Sequence, residues 1–263
     1  MKIIVLAKQV PDTNQVRIDP VKNTLIREGV PNILNPDDAS ALEAALQIKN
    51  QFPDTHITVV SMGPLQAKGM LQECLAMGAD EAVLLNDSAF SGSDTWATSN
   101  ALAAAVRKIG NYDLVLAGRQ AIDGDTAQVG PQVAEKLDIP QVTYVAEVIC
   151  KGKTAIQVKR IMEDGYELLE LKTPCLLTVM SGFYTARYMT VQGILNAVQQ
   201  AIPIWSAVDV DVKAEEIGLA ASPTIVIRSF TLASKSKGIV VHGDNPQEQV
   251  TNLIDMLKDK KIV

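Results

Sequence analysis

Short apolar runs alternate with stretches of helical spacing along the first half of the chain. The runs consist mostly of Val, Ile and Leu without polar alternation, which is typical of parallel strands buried on both faces. We predict these strands over residues 2–7, 57–61, 82–85 and 114–117. The helical stretches cover about 35–49, 65–77, 95–108 and 125–137. This order predicts an α/β fold with a doubly wound, mostly parallel sheet.

The pattern changes after residue 145. Further apolar runs predict an antiparallel extension of the sheet over residues 146–150, 155–161, 166–171 and 175–179. Regular patterning weakens after Pro203, until a last helix begins at Asn245 and Pro246. Asn is a favoured N-cap, and Pro suits the first helical position. We therefore expect one α/β domain over residues 1–202 and a C-terminal arm over residues 203–263.

The acidic balance of the chain limits its partners. The net charge is −6, whereas nucleic-acid-binding proteins usually carry a concentrated basic face, so no nucleic-acid partner is expected. No apolar run approaches the ~20 residues of a membrane span and no export signal is visible, so we expect a cytoplasmic protein. The three cysteines form no C-x-x-C pair, which predicts buried, reduced thiols.

The most informative segment runs from residue 118 to 131, between a predicted strand and a predicted helix. In a parallel sheet this is the carboxyl edge, where ligands bind. The backbone amides of Thr126, Ala127 and Gln128 would be unpaired at the helix start and could point at an anion such as a pyrophosphate. Gly124 allows a backbone conformation that is closed to other residues.

Two carboxylates flank that glycine. Asp123 and Asp125 could accept hydrogen bonds from ribose hydroxyls or from an adenine amino group. The same residues also fit a capped acidic turn with Asp125 as the N-cap. A metal site is a lesser alternative, because two carboxylates one residue apart make only part of a cation site.

Three other loops are expected at the same edge of the sheet. They cover residues 6–12, 35–38 and 61–64, and Gly63 would let a ligand approach the backbone closely. Each loop taken singly is an ordinary turn. Their convergence on one edge favours a binding site.

Motifs for catalysis by side chains are missing. There is no G-x-G-x-x-G after the first strand, no P-loop and no G-x-S-x-G motif. His56 and His242 have no neighbouring Ser or Cys of catalytic type and are expected at the surface. We therefore expect no catalytic residues and no metal site, and any reaction would be carried by a cofactor.

At these loops the sequence resembles the β subunit of electron-transfer flavoproteins. The matching stretches are residues 5–12, 35–38, 61–64, 76–80, 118–131 and 186–189. The resemblance covers essentially the whole chain, and the stretch from Gln120 to Asp125 is highly specific. It implies that residues 1–202 bind a nucleotide and that residues 203–263 wrap around a partner α subunit.

The resemblance also implies a set of cofactor-binding residues. They are Leu6, Ala7, Asn35, Asp38, Met62, Gly63, Gly118, Gln120, Asp123, Gly124, Asp125, Thr126, Ala127, Gln128 and Val129.

Two groups of this family differ in their ligand. In ordinary members the β subunit holds AMP. In the electron-bifurcating group it holds FAD, receives a hydride from NADH, and sends one electron to ferredoxin or flavodoxin and the other through the α-subunit FAD to a dehydrogenase. This sequence is more similar to the second group, because Gly124 and Ala127 are small where ordinary members carry a bulkier, Asn-containing loop. FAD is therefore the expected cofactor, with AMP as the alternative, and a dehydrogenase of acyl-CoA, enoyl-CoA or lactate type is the expected partner.

A docking segment is implied at residues 186–193, where Arg187 and Val191 would contact the dehydrogenase. Core packing of the following helix is the alternative explanation for this segment. Two other functions stay open: a stand-alone ATP-binding protein or hydrolase, for which we find no phosphate-binding Gly-rich loop, and a purely structural interaction subunit.

Overall fold

Among the residues that the structure describes, nine strands form a central sheet. The computed structural model describes residues 1–12, 31–150, 152, 154–227 and 238–263. The strands are β1 (Lys2–Leu6), β2 (Gln9–Pro11), β3 (Asn32–Leu34), β4 (His56–Met62), β5 (Glu81–Leu85), β6 (Leu114–Gly118), β7 (Gln141–Cys150), β8 (Ala155–Met162), β9 (Gly165–Lys172), β10 (Cys175–Val179) and β11 (Ile204–Trp205). The strands of the central sheet lie in the order β11-β5-β4-β1-β6-β10-β7-β8-β9. Strands β2 and β3 form a separate antiparallel pair.

The helices are α1 (Pro36–Gln51), α2 (Ala67–Met77), α3 (Thr95–Ile109), α4 (Val129–Leu137), α5 (Val191–Gln199), α6 (Gly218–Ala221) and α7 (Pro246–Asp259). Short 3-10 turns cover Ser88–Phe90 and Ala214–Glu216. None of these described helices is both long and apolar enough to cross a membrane. The three cysteines are buried free thiols, as predicted.

Successive residues of β1 contribute to opposite cores. Ile3 and Val5 pack with α1 and α2, whereas Ile4 and Leu6 pack with α3 and α4. Along the chain, β4 and β5 are added on one side of β1, and β6 is added on the other. The sheet is therefore doubly wound, as predicted, and its topological switch point lies between β1 and β6.

The strand at residues 175–179 corrects one sequence prediction. We predicted it within the antiparallel extension, but β10 lies between β6 and β7 and is parallel to both. All five of its residues are buried, as expected of a central strand that is covered on both faces. The antiparallel extension consists of the pairs β7–β8 and β8–β9.

The loop after β6 corrects a second prediction. Helix α4 begins at Val129 with Gln128 as its N-cap, so Asp125 is not the cap. The left-handed backbone is found at Asp125 (φ 49°) and Ala127 (φ 52°), not at Gly124. These two residues prevent a helix from starting earlier, because a left-handed residue interrupts helical hydrogen bonding.

The C-terminal arm begins against the sheet. Strand β11 pairs with β5, and Ala207 and Val210 are buried in the core beside α3. Asn245 caps α7 by accepting a hydrogen bond from Glu248 N, as predicted for this helix start. Residues 228–237 lie outside the described residues, and the domain boundary at residue 202 stays a prediction.

Candidate functional site

Two adjoining cavities lie at the carboxyl edge of the sheet. The first, which we call the β1–β6 cavity, has a volume of about 360 Å³. The second, the β4–β5 cavity, has a volume of about 490 Å³ and lies at the ends of those two strands. Lys8, Met62 and Ser93 line both cavities. The predicted convergence of loops on one edge is therefore present, at the switch point where open α/β sheets bind ligands.

Most of the predicted cofactor-binding residues line the β1–β6 cavity: Leu6, Ala7, Asp38, Met62, Gly118, Gln120, Gly124, Thr126, Ala127, Gln128 and Val129. Gly63 and Asp123 line the β4–β5 cavity. Asn35 and Asp125 are found in the lining of neither cavity. Direct contact of these residues with a ligand stays a prediction.

Asn35 holds the loop after β6 in place. Its side chain is fully buried and makes no capping bond to α1, although the residue occupies the N-cap position. Instead, its Nδ2 donates to the carbonyl of Gln120 at 2.8 Å, and its Oδ1 accepts from the amide of Ile122 at 3.1 Å. Because both polar atoms are used within the chain, Asn35 positions the loop.

The two acidic residues in the first turn of α1 fasten further loops. Asp38 accepts from the amide of Lys8 at 2.8 Å and from the amide of Gly118 at 2.9 Å, and so joins the ends of β1 and β6. Asp37 accepts from the amide of Ser181, after β10, at 3.0 Å. Both carboxylates are buried near the positive end of the helix dipole. Burial nevertheless raises the pKa of Asp38 to about 7, because desolvation disfavours the charged form.

The two predicted acceptors at the tip of the β6 loop have partners within the chain. Both oxygens of Asp123 contact Lys8 Nζ, at 2.6 and 2.8 Å. Asp125 accepts from Gln120 Nε2 at 2.8 Å. No group of three or more His, Cys, Asp or Glu side chains that could hold a metal ion is found among the described residues.

The start of α3 is a part of the site that the sequence reasoning missed. Asp94 caps this helix by accepting from the amide of Ala97 at 3.0 Å. Thr95 donates to Gln128 Oε1 at 3.0 Å, and this bond joins the start of α3 to the N-cap of α4. Thr95 and Thr98 line the β1–β6 cavity. Two helix starts therefore border one cavity, an arrangement that favours an anionic ligand group. The sequence feature that could have indicated this part of the site is Asp94, a favoured N-cap residue in the loop that follows β5 at the same edge of the sheet.

Two cations were also missed. Of the described residues that line the two cavities, Lys8 and Arg119 carry the positive charges. The Nε of Arg119 lies 3.3 Å from Asp37 Oδ2, and its guanidinium lies 5.9 Å from the ring centre of Tyr144. Arg119 is therefore paired with a buried carboxylate, while Lys8 borders both cavities.

The predicted docking segment has one anchored residue and one exposed residue. The guanidinium of Arg187 bonds the buried carboxylate of Glu43 at 2.9 and 3.0 Å. Thr190 caps α5 by accepting from the amide of Gly193 at 2.9 Å. Val191, at the first position of that helix, is 77% exposed. Arg187 thus fixes the segment on α1, and the docking roles of both predicted residues stay predictions.

The fold and the site together define a doubly wound α/β protein with a ligand cleft at its topological switch point. Residues 22–210 match the electron transfer flavoprotein domain. The chain therefore belongs to the electron transfer flavoprotein family, which confirms the resemblance seen in the sequence.

Its relatives include electron transfer flavoprotein β subunits. The chain is 56% identical to the caffeyl-CoA reductase-Etf complex subunit CarD of Acetobacterium woodii and 53% identical to the electron transfer flavoprotein subunit beta of Clostridium acetobutylicum. It is 44% identical to the acryloyl-CoA reductase electron transfer subunit gamma of Anaerotignum propionicum. Each match covers 100% of both chains.

Proposed function

We propose that this β-type chain binds FAD at the carboxyl edge of its sheet and works in a complex with an α subunit and a reductase. The observation that carries the proposal is the pair of adjoining cavities. AMP would need only the β1–β6 cavity, whereas a dinucleotide such as FAD would extend into the β4–β5 cavity as well. The names of the caffeyl-CoA and acryloyl-CoA relatives support a reductase partner.

The residues present fit such a ligand. The β1–β6 cavity has apolar walls from Leu6, Leu102 and Val129, which suit an adenine ring, and two helix starts that suit phosphate oxygens. A Cβ at Gly124 would meet no protein atom within 4 Å, so the space beside this residue is open to a ligand. The carbonyl of Gly63 accepts from Asn86 Nδ2 at 2.9 Å, which fixes the backbone that borders the β4–β5 cavity.

The chemistry that a bound FAD would supply is hydride acceptance from NADH, followed by electron transfer to ferredoxin or flavodoxin and, through the α-subunit FAD, to a dehydrogenase. The role of this chain is to bind and orient. Asn35 and Asp38 hold the loops, and the backbone at Met62 and Gly63 borders the β4–β5 cavity, where a nicotinamide would approach the flavin half of the bound FAD. We place this activity in the cytoplasm.

The second candidate is an ordinary carrier that holds AMP. The volume of the β1–β6 cavity supports it, because that cavity suffices for a mononucleotide. The discriminating experiment is to purify the heterodimer, denature it, and count FAD and AMP in the released material. Our proposal expects two FAD and no AMP per heterodimer, whereas one FAD and one AMP would establish the ordinary carrier.

The entry of electrons is tested separately. The heterodimer, freed selectively of the flavin in this chain, is mixed rapidly with NADH, and the absorbance of the remaining flavin is followed. We expect its reduction to slow at least 100-fold, because hydride transfer needs the reacting atoms about 3–3.5 Å apart. Reduction at an undiminished rate would show that NADH reacts at the α-subunit flavin.

A further inference from the structure

Lys8 lies where the two cavities meet. It follows β1 and lines both the β1–β6 and the β4–β5 cavity. Its backbone is fixed, because its amide donates to the buried carboxylate of Asp38 at 2.8 Å. Its side chain is 48% exposed, so the ammonium group is accessible from the cavities. A lysine with a fixed backbone and a free four-carbon stem can exchange one anionic partner for another.

The present partner of Lys8 is Asp123. The ammonium contacts both carboxylate oxygens, at 2.6 and 2.8 Å, across the gap between the loops after β1 and β6. Asp123 also lines the β4–β5 cavity. The Lys8 side chain is 48% exposed and that of Asp123 14%, and ion pairs with an exposed partner are screened by water, so a more strongly charged anion can compete with Asp123 for the ammonium.

The surroundings of Lys8 are otherwise acidic. Asp38, Asp87, Asp94 and Asp123 all line one of the two cavities. Arg119, the other cation of the lining, forms an ion pair with the buried carboxylate of Asp37. A diphosphate placed between the cavities would lie among carboxylates and would need a counter-charge. Among the described residues that line the two cavities, Lys8 is the cation that borders both of them.

We infer that Lys8 is the counter-charge for the diphosphate of a dinucleotide that spans both cavities, and that Asp123 is its resting partner, which the diphosphate displaces. This inference rests on the proposed function, because it requires a ligand that crosses from one cavity to the other. Lysine binds phosphate as a point charge, and charge-assisted hydrogen bonds to phosphate oxygens are stronger than neutral ones. Lys8 would therefore select ligands with a diphosphate over ligands that end at the nucleoside.

The test uses the heterodimer after removal of the nucleotide in this chain. Adenosine, AMP and ADP are titrated by calorimetry, so that binding is measured without any flavin reaction. Lys8→Gln should weaken ADP binding about 10- to 100-fold, as expected for loss of a charged hydrogen bond, and leave adenosine binding unchanged. Lys8→Arg should retain most of the ADP affinity, and Lys172→Gln, the same change on β9, should match the wild type.

Asp123→Asn provides the opposite perturbation. If Asp123 only holds Lys8 at rest, its neutralisation frees the ammonium and should strengthen ADP binding about two- to five-fold, with adenosine binding unchanged. A parallel loss of adenosine and ADP binding in this variant would show that Asp123 contacts the nucleoside, and would overturn its assignment as the resting partner.

The outcomes separate this inference from the proposed function. If the wild-type heterodimer binds FAD and ADP, and the Lys8→Gln variant binds ADP equally well, the inference is overturned and the proposed function stands. An equal loss of adenosine and ADP binding in Lys8→Gln also overturns it, because that result indicates a structural role. A wild-type heterodimer that binds AMP but neither ADP nor FAD overturns both.

Discussion

Gly118, the last residue of β6, lies in close contact with the first turn of α1. A Cβ added to Gly118 would lie 2.3 Å from Asp38 Oδ1 and 2.7 Å from the backbone carbonyl carbon of Asp37. The second of these atoms belongs to a helix backbone and cannot rotate away. Gly118→Ala must therefore push α1 and β6 apart, and the hydrogen bond of 2.9 Å from the Gly118 amide to Asp38 must lengthen.

The expected cost follows from two effects. Overpacking of a well-packed site typically costs about 1–3 kcal/mol. A weakened hydrogen bond to a buried carboxylate adds a loss of similar size. We expect Gly118→Ala to lower the unfolding free energy by roughly 2–4 kcal/mol and to reduce retention of the nucleotide.

Gly124→Ala is the matched control, because it makes the same change nearby, in the loop that follows β6. A Cβ at Gly124 meets no atom within 4 Å, so the unfolding free energy should change by no more than about 0.5 kcal/mol. The assay is urea unfolding of the purified heterodimer by circular dichroism, with the nucleotide content measured on the same samples. Equal unfolding midpoints for the two variants would refute the reasoning, since the approach of α1 to β6 would then not be rigid.

Two further predictions concern a buried carboxylate and an exposed valine. Burial raises the pKa of Asp38 from 3.8 to about 7. Between pH 3.8 and about pH 7, Asp38 therefore keeps its proton in the native chain but has lost it in the unfolded chain. The unfolding free energy of the wild type consequently falls as the pH rises through this range. The Asn side chain of Asp38→Asn does not titrate. As the pH rises, the unfolding free energy of this variant should therefore increase relative to that of the wild type, by at most about 1.4 kcal/mol per pH unit. Both proteins are unfolded in urea at pH 4.5, 6 and 7.5, and a difference in unfolding free energy that does not change with pH would contradict this prediction. Val191→Asp should slow electron transfer to the dehydrogenase at full flavin content, because the exposed first turn of α5 would lose an apolar contact with it. The control is Val208→Asp, which changes a valine that is 87% exposed elsewhere and should not slow the transfer. Unchanged transfer by Val191→Asp in stopped-flow measurements would exclude a docking role for Val191.

Local sequence patterns predicted most of the sheet because its strands are continuous apolar runs. The same patterns failed for β10, whose run of five residues follows two antiparallel hairpins in sequence. Nothing local marks the return of the chain to the middle of the sheet, where its pairing with β6 and β7 buries every residue. The sequence of β10 did carry one indication of its position, because its residues do not alternate between apolar and polar. A strand with one exposed face would show such alternation, whereas a strand buried on both faces does not.

The start of α4 was predicted too early for a related reason. An Asp followed by Thr and Ala matches the local signal of a helix start. In the structure the backbone at Asp125 and Ala127 is left-handed, and the Asn35 side chain holds the loop through two hydrogen bonds, to Gln120 and Ile122. Asn35 lies more than eighty positions away in the sequence, so a local cap signal could not predict these contacts.

The stretch from residue 35 to 38 shows how one helix start can position a whole site. Its sequence indicates an N-cap followed by acidic residues, and α1 does begin there, but none of the three polar side chains acts mainly on the helix itself. Asn35 bonds the loop after β6, Asp38 joins the ends of β6 and β1, and Asp37 bonds the segment after β10. The loops that line the cavities are thus aligned by one rigid turn and not by their own turn residues. Substitutions in this turn should alter ligand binding through the positions of the loops, because positioning errors of about 1 Å are costly at a binding site.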